Sequence, residues 1–311
     1  MAATQDHRGG AGGHRQAYHP AVRNRLLRDG FLVLAVVFVG LRLFQVDPWA
    51  DSVDAFAYWT TRDGVLYGPE TTGRIGAFVY SPAFAQLLTP LVWLDWPLFD
   101  ALWTALNLAV YGWLVGRLAL PLLLFLPFPF EIVSGNVHLL LGAMIVIGLR
   151  ERAAWAWALG AITKLTPLVG LTWFAVRREW RALAVAVLGS VAVVAGSWLV
   201  APAAWQEWFA LLIRDAGQPL QTVGWYLPVP LLPRLVVAVA LIAWGAVTDR
   251  PWTIPVGVVL AMPVMWLNSL AVLAALVPLT ERGRRLAAWP APRRRGESAS
   301  GLADGAAAVR V

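Results

Sequence analysis

From Phe31 to Leu279 the sequence is a succession of apolar runs, most of them close to the ~20 residues a helix needs to cross a bilayer, separated by arginine-bearing turns and two aromatic-rich loops. No water-soluble domain can bury that many consecutive apolar stretches. Of 311 residues, 59% are apolar and 14% are charged, against roughly a quarter charged in ordinary soluble domains. The composition therefore excludes both a soluble globular domain and a largely disordered chain. It predicts an all-α, polytopic membrane helix bundle of roughly ten segments.

The net charge of +7 could suggest a nucleic-acid partner, but its placement argues for topology. Arg8, Arg15, Arg23, Arg25 and Arg28 against Asp6 and Asp29 give the first thirty residues a surplus of +3, and the chain from Glu281 onward carries +4. Basic ends flanking apolar segments stay on the cytoplasmic side. We read residues 1–25 and 282–311 as disordered cytoplasmic tails around a membrane domain at 26–281, with no nucleic-acid partner. The tail before Leu26 lacks the small-residue cleavage site of a signal peptide, so the first span, extending from Leu26 to Val46, is expected to be an uncleaved anchor. Cysteine is absent, which removes disulfides and thiolate metal sites.

The stretch Asp47–Tyr80 is polar, with five acids against Arg62 and Arg74, the sign of an external loop. Trp49, Phe56, Tyr58, Trp59 and Tyr67 suit a segment lying along the headgroup boundary, where Asp51 and Ser52 can cap a short amphipathic helix. Ser81-Pro82 opens a span expected to reach Trp93, and another follows to Arg117. Pro121, Pro127 and Pro129 must kink or break the next segment, which runs into Ser134–His138. Strict alternation puts Ser134–His138 on the inner side, whereas a half-crossing hairpin puts it on the outer side. Further apolar stretches follow at 153–176, 183–200, 229–247, 252–267 and 270–279; Trp205, Trp208, Trp225 and Tyr226 mark a second external loop. Short and broken helices require that some backbone within the membrane line a cavity instead of facing lipid.

Few residues in such a chain can carry chemistry. Asp54 and Tyr58 are four apart, hence on one helix face, with Asp51 three residues before. A carboxylate among aromatic rings can act as a general base toward a sugar hydroxyl, or it can be only an acidic surface loop. Lys164 is the sole lysine and lies deep in an apolar run. An unpaired ammonium there costs about 2.5–3.5 kcal/mol on insertion scales. It needs an anion, either a substrate phosphate or a carboxylate such as Glu131. Gly135-Asn136-Val137-His138 sits at a helix break, as a cavity-facing group or as a local cap. Arg74 can pair with a phosphate or with Asp63 or Glu70, and Asn268-Ser269 interrupts the last two runs. No phosphate-cradling glycine loop, catalytic triad order, HExxH or CxxC is present. No metal or other cofactor is expected.

The ordered set D-x-x-x-Y and G-x-x-L-Y (Asp54, Tyr58, Gly64, Leu66, Tyr67), Y-S-P (Tyr80–Pro82), G-N-V-H (Gly135–His138), and T-K-x-T-P before R-R-x-W-R-A (Thr163–Ala182) resembles the bacterial membrane glycosyltransferases of the GT-C fold. The likeness is to family 87, which includes actinobacterial polyprenol-phosphate-mannose-dependent α-mannosyltransferases. The resemblance covers about residues 28–280. It implies transfer of a sugar, mannose or arabinose, from a polyprenyl-phosphate donor to a cell-envelope glycolipid or glycan acceptor. The transfer would take place on the outer face of the plasma membrane, with inversion. By resemblance the essential acid falls on Asp54, with Asp51 as the alternative. Tyr58, Arg74, Tyr80, Asn136, His138, Lys164 and Asn268 are then the candidates for substrate and donor contacts. Longer members carry P-x-x-W-x-H-H near the C-terminus; here Pro263 and Trp266 are followed by Asn268-Ser269. The competing classes are a transporter or flippase of a lipid-linked sugar, which predicts duplicated halves and two-sided access, and a non-catalytic relative.

Overall fold

The computed structural model describes residues 20–64, 66–67, 76–215, 226 and 228–288. Among them the architecture is all-α, the one extended pairing being an isolated bridge between Tyr226 and Trp266. Arg74 and most of both tails lie outside the described residues.

Helix α1 (Pro20–Leu43) begins six residues before the expected anchor and runs antiparallel to α4 (Trp96–Val115). Arg42 meets Asp100 at one end, and the Phe31 ring lies 5.9 Å from Tyr111 further along. Two short helices sit between them in sequence, α2 (Val53–Trp59) and α3 (Pro82–Val92). Ser52 and Ser81 occupy the N-cap positions, as expected, but neither hydroxyl caps its helix. Ser52 Oγ donates to Asp100 Oδ1 at 2.5 Å, and Ser81 Oγ donates to the Ile162 carbonyl at 2.6 Å. The caps have become tertiary ties.

Helix α3, read from sequence as a span from Ser81 to Trp93, is an 11-residue apolar helix, shorter than the ~20 residues of a full crossing. It leaves from Tyr80, whose hydroxyl is 2.9 Å from that of Tyr58 on α2, and it returns at Leu94, whose carbonyl accepts from Trp59 Nε1 on the same helix at 2.8 Å. Tyr58 packs edge-on against Tyr80, Phe84 and Trp103, with ring centroids 5.2–5.4 Å apart. Such pairs contribute about 0.5–1.5 kcal/mol each beyond burial. These rings hold α2 onto α3 and α4.

After a short 3₁₀ turn and α5 (Ala119–Leu122), the proline-rich segment forms α6 (Pro127–Ser134) and then α7 (His138–Gly148), bent by 109° at the break. The break lies against α2, because the Gly135 carbonyl accepts from Trp103 Nε1 at 2.6 Å and a Cβ on Gly135 would stand 2.8 Å from Ala55. Ser134–His138 therefore sits beside the helix of the first loop. Gly135 also has φ 71°, in the left-handed region that glycine adopts without penalty.

The apolar stretch after Ala153 is broken where the sequence T-K-L-T-P occurs. Helix α8 (Ala158–Thr163) ends at Lys164, and a 3₁₀ turn at Thr166–Leu171 leads into α9 (Thr172–Arg177). Leu165 has φ 54° and ψ −51°, with Thr166 N donating to the Lys164 carbonyl at 2.5 Å, the geometry of a tight γ-turn. Helix α10 (Trp180–Val200) shows Leu188, Leu199 and Val200 to the exterior. It is followed by the tryptophan-rich α11 (Pro202–Asp215), α12 (Leu231–Val247), α13 (Thr253–Leu260), a 3₁₀ segment Leu267–Ala275, α14 (Leu276–Leu279) and α15 (Glu281–Ala287). The last helix occupies part of the segment read from sequence as tail. Thr280 caps it, and Arg117 anchors it by donating to the Leu286 carbonyl.

Among the described residues, two helical stretches can cross a membrane by length and composition, Trp96–Leu122 and Trp180–Val200, and the bent α6–α7 pair makes a third if counted as one span. The chain is a membrane protein. The roughly ten segments read from hydropathy are not ten uninterrupted helices, because internal prolines and the breaks at Gly135 and Lys164 divide several apolar runs into pieces too short to span.

Candidate active site

The site is built where α2, the α6–α7 break, the end of α8 and the 3₁₀ segment at Leu267 meet. Asp54 projects from the first turn of α2. Its Oδ2 accepts from Asn136 Nδ2 at 2.8 Å, and Asn136 Oδ1 accepts from its neighbour's backbone, Val137 N, at 2.7 Å and from the Tyr80 hydroxyl at 3.2 Å. Tyr80 is in turn within 2.9 Å of the Tyr58 hydroxyl. With Tyr80 donating to Asn136, Tyr58 must donate to Tyr80, so every hydroxyl proton in the chain is directed toward Asn136 and the amide toward Asp54. Tyr67 steadies this arrangement by donating to the Tyr80 carbonyl at 2.8 Å.

The second half of the site starts at Glu131. Its Oε1 accepts from the backbone N–H of His138 at 2.6 Å, satisfying one of the free amides at the start of α7, and its Oε2 lies 2.9 Å from His138 Nδ1. On the other side of the imidazole, Nε2 is 3.1 Å from Lys164 Nζ and 3.3 Å from Ser269 Oγ. The ammonium has no acceptor to offer, so Nε2 accepts and Nδ1–H faces the carboxylate. Lys164 Nζ also lies 5.4 Å from the centroid of the Tyr80 ring, which links the two halves. Asn268 Nδ2 donates to Ser134 Oγ at 3.2 Å and closes the back of the site.

Burial separates supporting groups from accessible ones. Tyr58, Tyr80, Glu131, Asn136, His138, Asn268 and Ser269 are buried, whereas Asp54 and Lys164 are half-buried. Asp54 and Lys164 are thus the charged residues of the cluster that keep partial exposure. Packing around Asp54 pushes its carboxyl above the usual carboxylate range, because desolvation outweighs the Asn136 hydrogen bond and the Lys164 charge that favour ionisation.

Of the residues singled out in the sequence, Asp54, Tyr58, Tyr80, Asn136, His138, Lys164 and Asn268 converge here. Asp51 does not: it is exposed and lies toward Arg42 and Asp100. Arg74 falls outside the described residues. The direct partner of Lys164 is His138, with Glu131 one imaginary step behind it through the ring, so the simple Lys164–Glu131 pairing is replaced by a three-residue series. Sequence reasoning missed Glu131 as the group that holds His138. The signal was available: Glu131 is an acid within an apolar, proline-broken segment, and such residues mark sites by default. Among the described residues no group of three or more His, Asp or Glu side chains could hold a metal ion. An apolar groove of about 250 Å³ between α1 and α4, lined by Leu27, Phe31, Leu108 and Gly112, lies toward the other end of α4 and touches none of these residues.

Residues 78–293 match the model of glycosyltransferase family 87. The chain belongs to that family. The match covers Tyr80, Asn136, His138, Lys164 and Asn268 and begins after α2, so the segment that presents Asp54 lies ahead of it. No curated protein and no solved structure matches the chain. Membership of family 87 makes the protein a glycosyltransferase, with a sugar donor and an acceptor.

Proposed function

We propose that this family 87 enzyme transfers a sugar, mannose in the first instance, from a polyprenyl-phosphate donor to a glycolipid or glycan acceptor of the cell envelope. The transfer takes place on the outer face of the plasma membrane, with both termini inside, and Asp54 is the catalytic base. The reading rests on one observation: the two half-buried charged residues of the site, Asp54 and Lys164, are each held by a member of the same broken-helix tetrapeptide, Asn136 at 2.8 Å and His138 at 3.1 Å.

The chemistry follows from those two heads. Asp54 takes the proton of the acceptor hydroxyl as its oxygen attacks the anomeric carbon. The bond from that carbon to the phosphate oxygen breaks, and the electron pair leaves with the lipid phosphate. Base assistance of this kind contributes about 10²–10⁴-fold. Lys164 faces the leaving phosphate and offsets its charge where water is scarce. Attack from the side opposite the phosphate inverts the anomeric centre. His138 and Glu131 act behind Lys164, and Tyr80, Tyr58 and Asn136 behind Asp54. A lipid-linked donor suits a bundle of short and bent helices, whose gaps can admit a polyprenyl tail.

The experiment is transfer from polyprenyl-phospho-mannose in membranes carrying wild-type or Asp54→Asn protein. Loss of about 10²–10⁴-fold is expected; near-wild-type transfer by Asp54→Asn removes Asp54 from the mechanism. The same assay with polyprenyl-phospho-arabinose decides the sugar.

A further inference from the structure

Outside the site, one buried ionic cluster has no part in the chemistry described so far. Arg42 and Asp100 are both fully buried, with Arg42 Nη1 3.5 Å from Asp100 Oδ2. The pair is poorly satisfied: Arg42 Nε and Nη1 and Asp100 Oδ2 lack hydrogen-bond partners. A buried pair of this quality is a weak source of stability, since desolvating both charges offsets most of their attraction. Its remaining contacts show what it holds instead. Asp100 Oδ1 accepts from Ser52 Oγ at 2.5 Å, and Ser52 is the N-cap residue of α2, two positions before Asp54. Arg42 Nη2 donates to the Val133 carbonyl at 2.7 Å, in the last turn of α6, three positions before Asn136. The pair therefore grips both segments whose side chains meet in the Asp54–Asn136 hydrogen bond.

We propose that Arg42 and Asp100 are positioning residues that set α2 against the α6–α7 break and so hold Asp54 in register with Asn136. The inference rests on the reading of Asp54 as the base. Neither side chain hydrogen-bonds a residue assigned to substrate contact; their ties to the site run through Ser52 and Val133. Misplacing a base by about 1 Å can cost ~10²-fold in rate while leaving binding groups intact.

The test uses the full-length protein in detergent or membranes. Single changes such as Asp100→Asn strand a buried charge and can unfold the chain, so the informative variant replaces both members, Arg42→Met with Asp100→Leu, because apolar replacement of a whole buried pair is often neutral or stabilising. Thermal stability, kcat, both KM values and the pH profile are measured, with Asp54→Asn in parallel. We expect a folded protein with a modestly lowered melting temperature, because the Val133 carbonyl and the Ser52 hydroxyl lose their partners, a ten- to hundred-fold fall in kcat, and KM for donor and acceptor within about threefold. The acid limb of the kcat/KM profile should move to higher pH as Asp54 loses Asn136, with Lys164, His138, Glu131, Tyr58 and Tyr80 still facing it. A stable double variant with wild-type kcat and an unmoved acid limb overturns the proposal. A loss of activity that tracks only the fraction of unfolded protein overturns it as well. If Asp54→Asn itself is active, the base is elsewhere and this positioning role falls with it; if Asp54→Asn is dead while the double variant is normal, only the positioning role falls.

Discussion

Lys164 Nζ lies 3.1 Å from His138 Nε2, and the same imidazole is 2.9 Å from the Glu131 carboxylate through Nδ1. The lysine is thus held by a neutral ring that is itself backed by the Glu131 carboxyl group. An ammonium tied directly to Glu131 would be neutralised and drawn inward; one tied through the ring keeps donors free for the phosphate of the proposed donor.

Replacing Lys164 with Met removes the charge at similar length. Donor KM is expected to rise about 10- to 100-fold, the range for losing a hydrogen bond from a charged group, with protein level and acceptor KM little changed. Lys164→Arg should recover part of the loss. Steady-state kinetics with varied donor reads this directly, and an unchanged donor KM in Lys164→Met would leave the lysine a purely structural partner of His138.

Glu131 combines an amide cap and a charge, and two substitutions separate them. Glu131→Gln keeps an oxygen for the His138 and Leu139 N–H groups and should cost about 1 kcal/mol of stability, whereas Glu131→Ala leaves those amides and Nδ1 unpaired and should cost about 2–4 kcal/mol. Thermal melts of detergent-purified protein distinguish the two. Equal destabilisation would mean that the cap contributes nothing.

The pH profile follows from Asp54. A base must be ionised, and burial raises its pKa, so kcat/KM should increase with pH across a limb lying above the usual carboxylate range. The Asn136 amide favours the charged form; Asn136→Ala should therefore push the limb further up. A limb that stays in place in Asn136→Ala would show that the titrating group is not Asp54.

Gly135→Ala places a side chain on a backbone with φ 71° and sets its Cβ 2.8 Å from Ala55. Left-handed strain and overpacking together predict a loss of about 2–4 kcal/mol. Activity should fall along with stability, since α2 must move away from the break. A melting temperature within a degree or two of wild type would show that α2 is not seated as described.

Part of this site was legible in the sequence because its signals are local. Asp54 and Tyr58 share a helix face by spacing alone, Gly-Asn-Val-His follows a proline-rich break, and a single lysine in an apolar run demands a partner. What hydropathy could not show was direction. Helix α3 is apolar enough to read as a span, yet it has only 11 residues and aromatic contacts lay it along α2. The Arg42–Asp100 pair was equally hidden, because each residue sits near the end of an apolar stretch, where a charge reads as a flank. Asp51, offered by the resemblance only as the alternative to Asp54, precedes the helix and lies exposed toward Arg42 and Asp100, away from the cluster around Asn136.

The bend at Gly135 interrupts the backbone ladder in a buried part of the bundle, where unpaired polar groups are costly. Its exposed groups are answered from three separate parts of the chain: the Val133 carbonyl by Arg42, the Gly135 carbonyl by Trp103, and the His138 amide by Glu131. None of these donors and acceptors is replaceable independently, since losing any one strands a polar group of the same bend. Across related sequences the trio should accordingly be inherited as a block, kept together wherever the bend persists and lost together where a straight helix takes its place.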